Sequence, residues 1–139
     1  MKKVIYLLYR ANIFDINLTR CIMGNFQKLR VWQTAKELAV NIYKLTQNPQ
    51  FRKDFGFKDQ IQRAAVSISS NIAEGDELGT DKLSVRYFYI AKGSSAELMT
   101  QLIIANEIGY VDQSTAELLV DECDKISSML TKLIRARSV

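Results

Sequence analysis

Between Thr80 and Gly109 the chain runs for nearly thirty residues without a proline. Thr80-Asp81 supplies a start, because a threonine oxygen can accept a first-turn N–H, and Gly109 supplies a stop. On a helical wheel the apolar side chains Leu83, Tyr87, Phe88, Ile90, Ala91, Leu98, Met99, Leu102, Ile103 and Ala105 cover more than half of the circumference. One intramolecular core needs a stripe of only about 100°. The surplus calls for a second cover, most simply another subunit, with Phe88, Met99 and Ile103 as candidate interface residues.

The rest of the body has the same period. Leu29, Trp32, Ala35, Ala39, Ile42 and Tyr43 recur at three- and four-residue spacing and predict a helix over 27–47, stopped before Asn48-Pro49. Gln50–Gly56 then reads as a loop whose two phenylalanines pack onto the body. Phe57, Ile61, Ala65, Ile68 and Ile72 line one face of a second helix, which Gly75 is placed to end in a left-handed conformation. Its many small residues, Ala64, Ala65, Ser67, Ser69, Ser70 and Ala73, allow a neighbouring helix to come close. Ser114-Thr115-Ala116-Glu117 reads as a capping box for a last helix ending near Arg135. Leu119, Cys123, Ile126, Leu130 and Leu133 form its heptad seam. Four helices with short to moderate connections and no strand-like body segment predict an all-α, up-down-up-down four-helix bundle over 25–137.

A length of 139 residues suits one domain, and 47% hydrophobic with 24% charged residues is globular composition. Histidine is absent, which removes His-based acid/base chemistry, Ser-His-Asp and Cys-His nucleophile pairs and the commonest zinc ligand sets. Cys21 and Cys123 are too far apart in sequence for a Cys-x-x-Cys motif, and a reducing cytoplasm is the expected compartment. Cys123, in the heptad seam, reads as a small buried hydrophobe rather than a redox thiol. No metal site or cofactor is expected: Glu117, Asp121, Glu122 and Asp124 read as a solvated face.

The first 22 residues begin with Lys2 and Lys3 and an apolar run from Val4 to Tyr9, too short for a membrane span and stopped by Arg10. Secretion is therefore not expected. Helical periodicity starts after Met23-Gly24-Asn25-Phe26, which points to Met23 as the physiological start; the alternative is a genuine N-terminal arm.

Charge is segregated along the chain, although the net value is only +4. Residues 28–63 hold eight Lys/Arg against three Asp/Glu, residues 64–124 hold three against eleven, and residues 125–139 hold four against none. Such polarity can steer an anionic partner to one side or match one subunit's acidic stretch to another's basic stretch. Lys28, Arg30, Lys36, Lys44, Lys132, Arg135 and Arg137 are candidate phosphate contacts if the first and last helices are neighbours. The alternative is a solvated surface with cations complementing a helix C-terminus. Gln60, Arg63, Ser67, Asn71 and Glu74 form a polar stripe about 120° from the isoleucine face of the second helix. It reads as a polar network at a helix or subunit boundary, with Asn71 and Glu74 organising a turn at Gly75. A catalytic reading lacks a base near Ser67 other than Glu74.

Three blocks carry a resemblance. They are Phe26-x-x-Leu29-x-Val31-Trp32-Gln33-x-Ala35, Gln60-Ile61-x-Arg63-Ala64-Ala65-x-Ser67-Ile68-x-Ser70-Asn71-Ile72-Ala73-Glu74-Gly75, and Ala91-x-Gly93-Ser94-x-x-Glu97-Leu98. Together they resemble the small bacterial bundle proteins encoded in intervening sequences of 23S rRNA genes, a superfamily shared with the accessory variability protein of diversity-generating retroelements. The resemblance covers about residues 25–136. It implies a homopentameric barrel, association with RNA and no established catalytic activity. The expectation is thus a non-enzymatic, self-associating bundle that binds RNA or a ribonucleoprotein electrostatically; the alternative is a scaffold that docks a partner protein without touching nucleic acid.

Overall fold

The computed structural model describes residues 25–78 and 80–138. A 3-10 turn, Phe26–Lys28, leads into α1 (Arg30–Leu45); then follow α2 (Pro49–Lys53), α3 (Phe55–Glu77), α4 (Asp81–Glu107) and α5 (Gln113–Arg137). Four of these helices are long, α2 is short, and no strand occurs among the described residues. The expected start at Met23 and the character of residues 1–22 lie outside the described residues.

The long helices pack as a bundle in a closed circuit, α1 on α3, α3 on α4, α4 on α5 and α5 back on α1. Their apolar faces meet in one core that contains Ile42, Ile61, Ile68, Ile72, Leu98, Leu102, Ile126 and Leu130. Cross-chain bonds identify the two ends. At one, Asn48 Nδ2 donates to the Tyr110 carbonyl at 3.1 Å and the Tyr110 hydroxyl to Asp54 at 3.1 Å, joining the α1–α3 connection to the α4–α5 connection. At the other, Arg137 ion-pairs with Asp76 at 2.8 Å and Asp81 at 3.5 Å, fastening the end of α5 to the α3–α4 turn. The start of α1 lies at this second end, because neighbouring helices run antiparallel.

Several local expectations are corrected. α1 stops at Leu45, before Asn48-Pro49 as expected, but Pro49 opens a further helix: it occupies the first turn of α2, where its missing N–H is not needed, and the Asn48 side chain caps that turn by accepting from Phe51 N at 3.1 Å. Part of the expected loop is therefore helical, held by Phe51, which is buried against Phe57 and Tyr110 at ring-centroid distances of 5.8 and 5.3 Å. Gly75 does not end α3, and there is no turn there for Asn71 and Glu74 to organise. The helix continues to Glu77. The glycine is needed instead for close approach, since a Cβ on it would stand 2.8 Å from Phe88 Cε1. Tyr43, expected on the core face of α1, is exposed, and Leu133 is only partly buried while Ile134 joins the core.

The ends of α4 agree with expectation. Thr80 caps its start, and Gly109 at φ +80° closes it, with Tyr110 N donating to the Ala105 carbonyl at 2.8 Å as in a Schellman turn. The start of α5 differs. Asp112, not Ser114, is the cap, and its carboxylate accepts from Thr115 N at 2.9 Å, Thr115 Oγ1 at 2.7 Å and Ser114 Oγ at 2.7 Å. Glu117 accepts from Gln113 instead of reaching back to the serine.

These donors hold the Asp112 carboxyl down at about 2, below its ordinary 3.8. A carboxyl with a lowered folded-state pKa contributes stability above its unfolded value and loses it as pH falls through the folded one. The urea midpoint of the protein should therefore exceed that of Asp112→Ala at neutral pH, and the gap should close between pH 3.8 and about 2. A gap that stays constant down to the lower pH would show that the cap does not act through this carboxylate.

Candidate functional site

Helix α3 splits the expected polar stripe in two. Ser67 and Asn71 turn toward α4: the Ser67 and Ser94 hydroxyls are 2.9 Å apart, and Asn71 Nδ2 donates to the Ser67 carbonyl at 2.8 Å and to Ser67 Oγ at 3.0 Å. Ser94 also donates to the Ile90 carbonyl, so its proton is committed and Ser67 is the donor of the pair. These hydroxyls are engaged in joining two helices, which small side chains permit at short range. Gln60, Arg63 and Glu74 face solvent. Arg63 pairs with Asp59 at 3.8 Å with both side chains more than two-thirds exposed, a contact of little energetic weight.

Two open depressions lie side by side over α3. One, of about 470 Å³, is lined by Tyr43, Arg63, Ala64, Val66, Ser67 and Glu97. The second, of about 490 Å³, is lined by Lys36, Ala39, Val40, Tyr43 and Lys44 of α1 with Val66 and Ser69 of α3. They share Tyr43 and Val66 and so form one trough with an apolar floor, in which Val40, Tyr43 and Val66 are all exposed. Sequence reasoning did not assign this trough. Tyr43 had the spacing of a core residue, and Ser94 and Glu97 stood only as parts of a family block.

The seven candidate phosphate contacts fall into three groups. Lys28 and Arg30 at the beginning of α1 share one end of the bundle with Lys132 and Arg135 near the end of α5, and all four are exposed. Lys36 and Lys44 lie apart from them along the trough, with the Lys36 ammonium 5.9 Å from the centre of the Trp32 ring. Arg137 is drawn into the pairs with Asp76 and Asp81 and has no free fork to offer a phosphate. The beginning of α1 has no acidic residue in its first turn and no side-chain cap, while the exposed Glu77 at the end of α3 and Asp81 at the start of α4 share that end of the bundle.

Phe88 is removed from the expected oligomer surface: its ring is fully buried in the chain's own core, against the Gly75 backbone, and cannot reach a second subunit. Met99 is partly buried against the same core, while Ile103 is exposed. Leu83, Tyr89, Ile90 and Ile104 are also exposed on α4, with Ile108 at its C-terminal cap; the sequence indicated Leu83, Ile90 and Ile103 among its apolar residues but not Tyr89, Ile104 or Ile108. On α5, Glu117, Asp121 and Asp124 are exposed beside Leu118, itself 63% exposed.

Cys123 is fully buried, and its Ser95 neighbour donates to the Cys123 carbonyl at 3.0 Å. Desolvation pushes the thiol up to about 12, far from the thiolate form that reacts. No three Cys, Asp or Glu side chains converge as a metal site among the described residues. No helix among them is long and apolar enough to cross a membrane.

Residues 27–132 match the sequence family described as 23S rRNA-intervening sequence protein. Among solved structures, the chain is similar to a protein of unknown function from the S23 ribosomal protein family of Bacteroides thetaiotaomicron, at 26% identity and a TM-score of 0.69. That likeness covers 75% of this chain and 97% of the other. No curated protein matches the chain. With the match spanning the bundle from the turn before α1 almost to the end of α5, the chain belongs to the 23S rRNA-intervening sequence protein family.

Proposed function

We propose that this protein is a non-enzymatic, self-associating helical bundle that holds RNA phosphates electrostatically at the end where α1 begins and α5 ends. The observation that carries the reading is the grouping of Lys28, Arg30, Lys132 and Arg135, exposed and without a carboxylate partner among the described residues. Cations placed in this way neutralise phosphates with little base specificity, because phosphate oxygens are the same at every nucleotide. The family name ties its members to 23S rRNA intervening sequences, which makes RNA the polyanion to test first. Self-association is supported by the exposed aliphatic and aromatic surface of α4, with five subunits as the number implied by the family resemblance.

The test is fluorescence anisotropy of a labelled single-stranded RNA with the purified full chain across a salt series. Four phosphate contacts give a slope of log K against log salt of about −3, at roughly −0.7 per contact. Charge reversal at Lys28, Arg30, Lys132 and Arg135 should flatten that slope towards zero while leaving the helical circular dichroism unchanged. Unaltered RNA affinity in that variant would reject this end of the bundle as the phosphate surface. No binding at low salt by a folded oligomer would reject RNA association and favour a scaffold that docks a basic partner protein on the exposed acids of α5.

A further inference from the structure

The two depressions of the trough over α3 differ in charge. Arg63 and Glu97 line the first with offsetting signs, whereas the second, of about 490 Å³, is lined among the described residues by Lys36 and Lys44 and by no carboxylate. Glu37, the one acid of α1, lies outside that lining. Neither Lys36 nor Lys44 has a salt-bridge partner among the described residues. Between the two lysines in sequence stand Val40 and Tyr43, both 46% exposed, and exposed Val66 of α3 lines the same depression. Tyr43 borders both depressions and is the one aromatic side chain among the described residues of either lining. An exposed aromatic ring with cations before and after it on one helix suits single-stranded nucleic acid, because every base has a face to stack and every linkage a charge to neutralise. The rim adds polarity: Gln47 Nε2 donates to the Tyr43 carbonyl at 3.1 Å, which leaves its Oε1 to accept from a base edge. An open depression is enough to cover one face of a flat ring; an anchoring side chain of a partner protein needs enclosing walls.

We infer that this depression takes an unpaired nucleobase of RNA, stacked on Tyr43 beside Val40 and Val66, with backbone phosphates at Lys36 and Lys44. The inference rests on the RNA association proposed above and narrows its ligand to unpaired strands. In a duplex the base faces are stacked on one another and closed to Tyr43. Arg30 and Lys36 are six residues apart on α1, a rise of about 9 Å, so one strand can run from the bundle end into the trough. Lys36 and Lys44 then account for the part of the salt slope that charge reversal at the bundle end leaves, about −1.4 at roughly −0.7 per contact.

Fluorescence anisotropy of the full chain with labelled oligouridylate, free and paired with oligoadenylate, tests this. Tyr43→Ala should weaken binding of the free strand about 5- to 150-fold and leave the duplex unchanged, the fold-change that corresponds to about 1–3 kcal/mol of stacking. Tyr43→Phe keeps the ring and should bind as the wild type does. Tyr43 is exposed, so helical circular dichroism should be the same in all three forms. Tyr43→Ala binding the free strand like the wild type, or losing the duplex equally, overturns the base site while phosphate binding at the bundle end stands. Poly-glutamate that binds the wild type and depends on Tyr43 as the RNA does would place an acidic protein segment in the trough, and overturns the base site as well. A wild type without affinity for either RNA overturns RNA association itself, and the inference with it.

Discussion

Replacing Phe51 by alanine is expected to lower the stability of the bundle by about 3–5 kcal/mol, the range for removing a buried aromatic ring. A helix of five residues cannot stand alone, since nucleation costs more than so few backbone bonds return. α2 is therefore held by tertiary contacts: the fully buried Phe51 ring stacks on Phe57 with planes 16° apart and meets the edge of Tyr110 at 73°. The same Tyr110 receives Asn48 at its carbonyl and gives its hydroxyl proton to Asp54. Loss of the ring leaves a cavity beneath both connections at that end, so the effect should be measured as a fall in urea midpoint together with amide exchange in residues 46–57. A loss below about 1 kcal/mol would show that the site collapses and that α2 is not anchored by its ring.

The second large effect has a sign opposite to what helix propensity gives. Gly75 lies inside α3, where alanine or valine should improve on glycine by several tenths of a kcal/mol or more. Yet a Cβ there would meet Phe88 Cε1 at 2.8 Å and Tyr87 Cβ at 3.0 Å, and the Phe88 ring has nowhere to go because it is fully enclosed. Gly75→Val should therefore destabilise by about 1–3 kcal/mol through overpacking, and by more if α4 must shift. Gly93, in the middle of α4 with nothing within 4 Å of a built Cβ, is the internal control. Gly93→Ala should stabilise by about 0.5–1 kcal/mol. Equal effects from the two substitutions in thermal unfolding would mean that α3 and α4 do not approach at Gly75 as closely as described.

Period was the legible part of this chain. The three- and four-residue spacing of Ile61, Ala65, Ile68 and Ile72, and of Leu119, Cys123, Ile126 and Leu130, named core residues correctly because burial on one side of a helix is a local pattern. Punctuation was less legible, since one residue type serves opposed ends. Proline both excludes a helix interior and suits a first turn, and Pro49 does the second. Glycine suits a left-handed stop and also a close crossing; Gly109 is the first and Gly75 the second, and only Phe88, thirteen residues further on, distinguishes them. Asp112 and Ser114 were both able to cap α5, and the aspartate prevails by accepting three donors at once.

The candidate site divides in the same way. The sign of each segment's charge could be read from composition, and so could the excess of apolar surface on α4. Grouping could not, because it depends on which helices are neighbours and on how far each has turned. Thus Lys36 and Lys44 separate from Lys28 and Arg30 although all four are close in sequence, and Lys132 and Arg135 join them from the far end of the chain. Phe88 and Ile103 illustrate the same limit, since a wheel that is apolar most of the way round does not say which part of it faces inward.

The clasp at Arg137 ties together groups whose helices already favour their signs. Its guanidinium sits at the carbonyl ends of α5 and α3, where the macrodipole is negative, and Asp81 sits at the N–H end of α4, where it is positive. Asp76 is the exception, a carboxylate near the carbonyl end of α3 with its side chain only 5% exposed. Its charge has exchanged hydration for a single guanidinium 61 positions away in sequence. The last turn of α5 is thus the counterion of the α3–α4 corner, and damage at one would be felt as an uncompensated charge at the other.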